Sequence, residues 1–245
     1  MSQPEHSAHE ASPPASPNPY DSPRAAIEPS RPGVVPGYER LNPWRSIWTQ
    51  PRATIRQIVD TNPTNMVVLL AAIGGISQAL DQAAARGLGG MIPMPAVLGV
   101  ALVFGPILGL ISLYVGGAVL WFSGRLLGGA ANYEHVRAAL GWSQVPLAFG
   151  LVLWIPKFLA LGPKLFDGYI FGLVPVEQNL LIATGVAEVV LGIWQLVILI
   201  NCLAEVHQFS RWRGLGTLLA AGALIGLAVF IPAMIFFMSA GGGGL

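Results

Sequence analysis

The sequence predicts an all-α integral membrane protein: a bundle of about five transmembrane helices, preceded by an amphipathic interfacial helix and a disordered N-terminal tail. Three observations predict it. Of 245 residues, 53% are hydrophobic and only 10% are charged, whereas soluble domains carry about 25% charged residues. A surface so poor in charge has to face lipid. The apolar residues gather into five stretches close to or above the roughly 20 residues that cross the hydrocarbon of a bilayer. A net charge of +1 supplies no field for nucleic acid, which excludes that class of partner.

Residues 1–41 are rich in Pro, Ser, Ala and Glu and almost empty of large apolar side chains. Such a segment cannot bury enough surface to offset its ordering entropy, so a disordered tail is expected. It lacks the basic n-region and apolar core of a secretory signal, which leaves the first span to act as its own signal.

Residues 42–62 change character. Trp44, Ile47, Trp48, Pro51, Ile55, Ile58 and Val59 recur at the spacing of one helix face, with Arg45, Arg52 and Arg56 on the other. Asn42 before Pro43, and Thr49 before Gln50-Pro51, read as helix starts. The expectation is two short helices, or one kinked at Pro51, lying in the headgroup plane where tryptophan and arginine are favoured. Packing of the same segment on the ends of the spans is compatible with that position.

Residues 63–240 hold the spanning domain, and 241–245 form a flexible C-terminus. Asn62-Pro63 ends the entry segment, and spans follow at about 66–85, 96–123, 138–161, 180–203 and 215–239. Pro106, Pro146, Pro156 and Pro232 are each expected to interrupt a helix, which neighbouring groups tolerate in a membrane. A cytoplasmic N-terminus puts Arg45, Arg52, Arg56, Arg125, Arg137, Arg211 and Arg213 inside, against Arg86, Lys157 and Lys164 outside. Seven against three follows the positive-inside rule and leaves the C-terminus outside the cell membrane.

The motifs come in an ordered series. NPWRSIWTQPRATIRQIVDTNP precedes the first span, RLLGG stands at 125–129, GWSQVP at 141–146, and the Trp194-containing span runs into LAEVHQFS at 203–210. In this order they resemble bacterial members of the Yip-one (Ypt/Rab-interacting protein) domain family, over residues from about 42 to 240. The resemblance implies a five-helix membrane domain with a cytoplasmic N-terminus. Eukaryotic relatives act in vesicle trafficking and contact prenylated Rab-type GTPases; that small-GTPase binding is not transferable to a chain with the shorter bacterial style of entry motif.

Ionisable groups inside spans are expensive and usually paired. Asp81, Lys157 and Glu188 fall within one or two turns of the same depth by topology. Lys157 is therefore expected to pair with Asp81 or Glu188, the alternative being a snorkelling Lys157 and a loop-bound Asp81. Gln195 lies two turns beyond Glu188 on the same face, completing a candidate intramembrane polar site. Glu134 and His135 in one loop, with Glu205 and His207 closing the fourth span, offer a proton or metal site only if those loops meet. They lack ligand spacing, so no metal and no cofactor is predicted. Gly105 and Gly109, with Gly116 and Gly117 beyond, have the small-residue spacing of close helix packing, within the chain or between copies. Lone Cys202 gives no disulfide framework.

No H-E-x-x-H, G-x-S-x-G or phosphate-binding loop occurs, and no spanning Ser–His or aspartate pair offers intramembrane proteolysis. The expected function is a non-enzymatic scaffold or adaptor that organises membrane proteins or lipids. Its partners would be the bilayer and either membrane proteins or further copies of the chain. The alternative is a small transporter or channel subunit with Glu188, Gln195 and Asn201 along a path. Five spans without internal symmetry speak against it.

Overall fold

The first helix starts as its cap predicts. Asn42 accepts a hydrogen bond from the Trp44 amide at 3.1 Å, and Pro43 fills the first turn of α1 (Pro43–Ser46), where a missing N–H costs nothing. The second start differs in detail: Gln50, not Thr49, precedes α2 (Pro51–Thr61), and no side chain caps it. The computed structural model describes residues 40–168 and 172–241, with side chains through Met234. Most of the expected tail and the last four residues lie outside the described residues.

The described residues contain no strand and five helical segments long and apolar enough to cross a membrane. They are Val67–Ala85, Met94–Leu126, Tyr133–Phe166, Pro175–Val206 and Arg211–Met234. The second, third and fourth run beyond their predicted apolar cores at both ends. Hydropathy marks only the part that meets hydrocarbon, whereas the helix continues until its backbone finds other partners.

The first span is α3 (Val67–Ala85), and the second opens with α4 (Met94–Ile111). Gly75, Gly105 and Gly109 bring their backbones together; a Cβ on Gly105 would stand 2.8 Å from the Ile76 Cα. Pro106 does not break α4. The departure comes further on, as a π-helical stretch at Ser112–Gly116 before α5 (Gly117–Leu126). The third span is the interrupted one, built from α6 (Tyr133–Ser143), α7 (Val145–Gly150) and α8 (Trp154–Leu161), with 3-10 turns at Leu151–Leu153 and Gly162–Phe166. Pro146 and Pro156 both occupy first turns of these pieces, where the backbone N–H has no helical acceptor. The fourth span, α9 (Pro175–Val206), is unbroken, and α10 (Arg211–Gly241) carries Pro232 without interruption. Four helix-breaking prolines were expected; only the two in the third span mark breaks.

Two buried clusters hold the bundle. One joins Leu80, Val97, Trp154, Leu161 and Phe166 at the end where α3 finishes. The larger joins Ile47, Ile55 and Ile58 of the entry segment to Leu70, Val136, Trp142, Ile198 and Leu203. The apolar stripe of the entry segment is therefore turned onto protein. Trp44 meets the edge of Trp142 at 5.5 Å, and Trp48 meets Phe149 at 5.6 Å. Burial of three isoleucines at about 1.5–3 kcal/mol each fastens this short segment far more strongly than its own helix propensity.

Candidate functional site

Three elements meet at the entry-helix end of the bundle: α2, the Ala130–Asn132 stretch that leads into α6, and the end of α9. Arg52 and Arg56 stand four residues apart on α2, so both reach the same side. Both bind one carboxylate: Arg52 Nε donates to Glu205 at 3.0 Å, and Arg56 donates through Nε at 2.7 Å and also through Nη2. Glu205 itself is 5% exposed. The arginines predicted to face lipid headgroups thus clamp α2 to the fourth span. Gln57 adds a second fastening, with its side-chain amide accepting from the Leu41 N–H and donating to the Leu41 carbonyl, both at 2.9 Å.

Beside the clamp lies a cleft of about 490 Å³ lined by Arg56, Asp60, Asn132, His135, Glu205 and Gln208 among others. The two segments that carry His135 and Glu205 do meet there. Glu134 and His135 belong to the first turn of α6 rather than to a loop, and Glu134 is exposed. His207 turns the other way. It is 1% exposed, stacked on Phe209 with ring centroids 5.1 Å apart, and lies against Gly124 and Gly129, where any Cβ would overlap its ring. Gln208 follows with φ of 58°, a left-handed residue that ends α9 and drives this inward turn. Neither ring nitrogen of His207 has a hydrogen-bond partner among the described residues. Burial pushes its pKa down to about 4, so the ring is neutral at pH 7. Among the described residues no three His, Cys, Asp or Glu side chains form a metal-binding group.

The intramembrane polar residues divide. Lys157 Nζ lies 2.5 Å from Glu188 Oε1 and 4.8 Å from the centroid of Trp154, and Lys157 is 6% exposed. Asp81 is exposed, within electrostatic reach of both charges, and makes no ion pair among the described residues. Gln195 is half-buried and forms no hydrogen bond among the described residues, and Asn201 donates to the Val197 carbonyl of its own helix at 2.7 Å. Among the described residues these groups form one neutralised pair rather than a chain, beside Trp154 of the cluster at the end where α3 finishes.

The family model described as the Yip1 domain matches residues 45–233, more than half of the chain. The chain belongs to the Yip1-domain family. It is a multi-pass membrane protein. No curated protein and no solved structure matches it.

Within this Yip1 domain the glycines serve different ends. Gly109 would drive a Cβ into Gly75 and Ala71, so the pair Gly105 and Gly109 packs the first two spans of one chain together. A Cβ on Gly117 would stand 3.1 Å from the Arg137 stem, one on Gly116 would be in ordinary contact with Leu140, and Gly128 has open space around it at φ 83°. Sequence reasoning missed the role of Glu205, which reads as a helix-end acid; the four-residue spacing of Arg52 and Arg56 was the available signal that one acceptor serves both. It also missed Arg137, for which the four-residue spacing from Tyr133 on α6 was a linear signal, while Tyr114 comes from the π-helical stretch.

Proposed function

We propose that this Yip1-domain protein is a non-enzymatic membrane adaptor, set in the cell membrane with the entry-helix end in the cytoplasm. The observation that carries this reading is the clamp: two arginines of α2 converge on buried Glu205 and hold the entry helices rigidly beside a polar cleft. The cleft wall offers both charges, amides and an imidazole, and this mixture matches the alternating donors and acceptors of a polypeptide segment better than a single ion. Its occupant would be a cytoplasmic segment of another membrane protein. The sidedness is supported by the seven arginines that cluster at the entry-helix end in sequence and by the positive-inside rule.

The transport alternative is weakened because Lys157 and Glu188 neutralise one another and Asn201 is engaged by its own helix. Capture from membranes in mild detergent tests the adaptor. A stoichiometric partner retained by wild type and lost on Asp60→Lys and on His135→Glu in the cleft supports it. A protein that purifies only with itself and conducts ions in liposomes refutes it.

A further inference from the structure

Three cationic side chains among the described residues are partly or fully buried: Arg52 and Arg137 in part, and Lys157 fully. Arg52 has Glu205 and Lys157 has Glu188. Arg137 has no carboxylate at ion-pair distance among the described residues, although Glu134 lies one turn back on the same helix. Its Nε is buried without a hydrogen-bond partner among the described residues. What holds it is aromatic: the guanidinium lies 5.0 Å from the ring centroid of Tyr114 and 4.9 Å from that of Tyr133. Tyr133 also donates its hydroxyl to the Tyr114 carbonyl at 2.8 Å, in the π-helical stretch. The series continues outward, since Trp121 stands 6.4 Å from Tyr133 and Arg125 lies 5.1 Å over Trp121. Arg125 too has no carboxylate partner among the described residues.

Cation–π contacts occupy the faces of a guanidinium and, with Nε of Arg137 buried, leave its terminal Nη donors for a planar or tetrahedral oxyanion. The depth of this ladder is fixed by helix length. The second span starts at Met94, and at 1.5 Å per residue Tyr114 lies about 30 Å along it, one hydrocarbon thickness from that start. Arg137 therefore sits where lipid phosphates lie, while Leu108 and Ile111, one to two turns nearer the middle of the span, present exposed apolar surface on the hydrocarbon side.

We propose that Arg137 and Arg125, set on Tyr114, Tyr133 and Trp121, bind the headgroup of an anionic phospholipid, Arg137 donating to its phosphate and Arg125 reaching the headgroup from further out. The apolar flank receives the acyl chains, which a free phosphate lacks. The two uncompensated guanidiniums favour a lipid with net negative charge over a zwitterionic one.

The test uses the full chain, purified in mild detergent, stripped of lipid and titrated with phosphatidylglycerol under native mass spectrometry. Wild type is expected to retain one phosphatidylglycerol, and R137Q and R125Q each to weaken retention about tenfold or more, as loss of a charge-assisted bond to the headgroup implies. R86Q, at the other end of the bundle, is expected to bind as wild type. Arg125 is exposed, so R125Q carries the test even if R137Q does not fold. Phosphatidylcholine is expected to bind at least about tenfold more weakly, and millimolar inorganic phosphate not to displace the lipid. Equal retention by R125Q and wild type, equal binding of phosphatidylcholine, or full displacement by inorganic phosphate would overturn the proposal.

Discussion

Replacing Glu205 by Gln perturbs one carboxylate and two arginines at once. Glu205 is buried, but the side chains of Arg52 and Arg56 are 38% and 58% exposed. Hydrogen bonds to charged groups contribute about 1.5–3 kcal/mol each. The arginines can rehydrate once released, and solvent screens them in the native state, so the net loss falls to about 1–3 kcal/mol. The isoleucine contacts of the entry segment stay, and they exceed that loss. E205Q is thus expected to loosen α2 without detaching it. Amide exchange over Pro51–Thr61 should accelerate about 5- to 150-fold, while exchange in α3 stays unchanged. Raising the salt should narrow the difference between wild type and variant, because the arginines are partly solvated. Unchanged exchange in α2 at low salt would refute the clamp. Acceleration spread equally over α3 would show that Glu205 holds the whole bundle instead.

Other outcomes follow from the same geometry. His207 takes up a proton near pH 6.5 when unfolded but only near about 4 when folded. Its contribution is complete above pH 6.5 and is lost as pH falls toward 4, by up to about 3 kcal/mol. Thermal unfolding in detergent should record a slope across that window, and His207→Leu should flatten it. Lys157→Met leaves Glu188 without its cation and is expected to cost about 3–5 kcal/mol; the double variant with Glu188→Met should recover most of the melting temperature, and failure to recover would mean the pair is not the cause. Gly109→Leu forces apart α3 and α4 where their backbones touch, so a melting loss well beyond that of Gly99→Leu, at a glycine with open space around it, is expected.

Much of the fold was legible because a bilayer imposes a length. Twenty apolar residues have few uses other than a span, so the five spans emerge from hydropathy, and the Asn42-Pro43 start of α1 follows from local capping chemistry. Linear reasoning went astray where a local rule met a neighbour. Pro106 and Pro232 stay inside unbroken helices, while the π-helical stretch arises at Ser112–Gly116, where no proline occurs. The amphipathic stripe of the entry segment was plain from its period, but a period says which residues share a face and not whether that face meets lipid or protein. Its partners, Trp142 and Phe149, come from the third span, far along the chain.

By itself, then, the sequence determined that this is a multi-pass helical membrane protein, where its spans lie and which family it belongs to. These follow from apolar length and ordered motifs, properties carried by contiguous residues. Tertiary structure alone decided the pairings: Glu205 with Arg52 and Arg56, Lys157 with Glu188, and Arg137 between two tyrosines. The physical reason is that an ion pair depends on two side chains reaching one depth and one angle around a bundle. Helix kinks and crossing geometry set that depth and angle, and no stretch of single-chain periodicity records them.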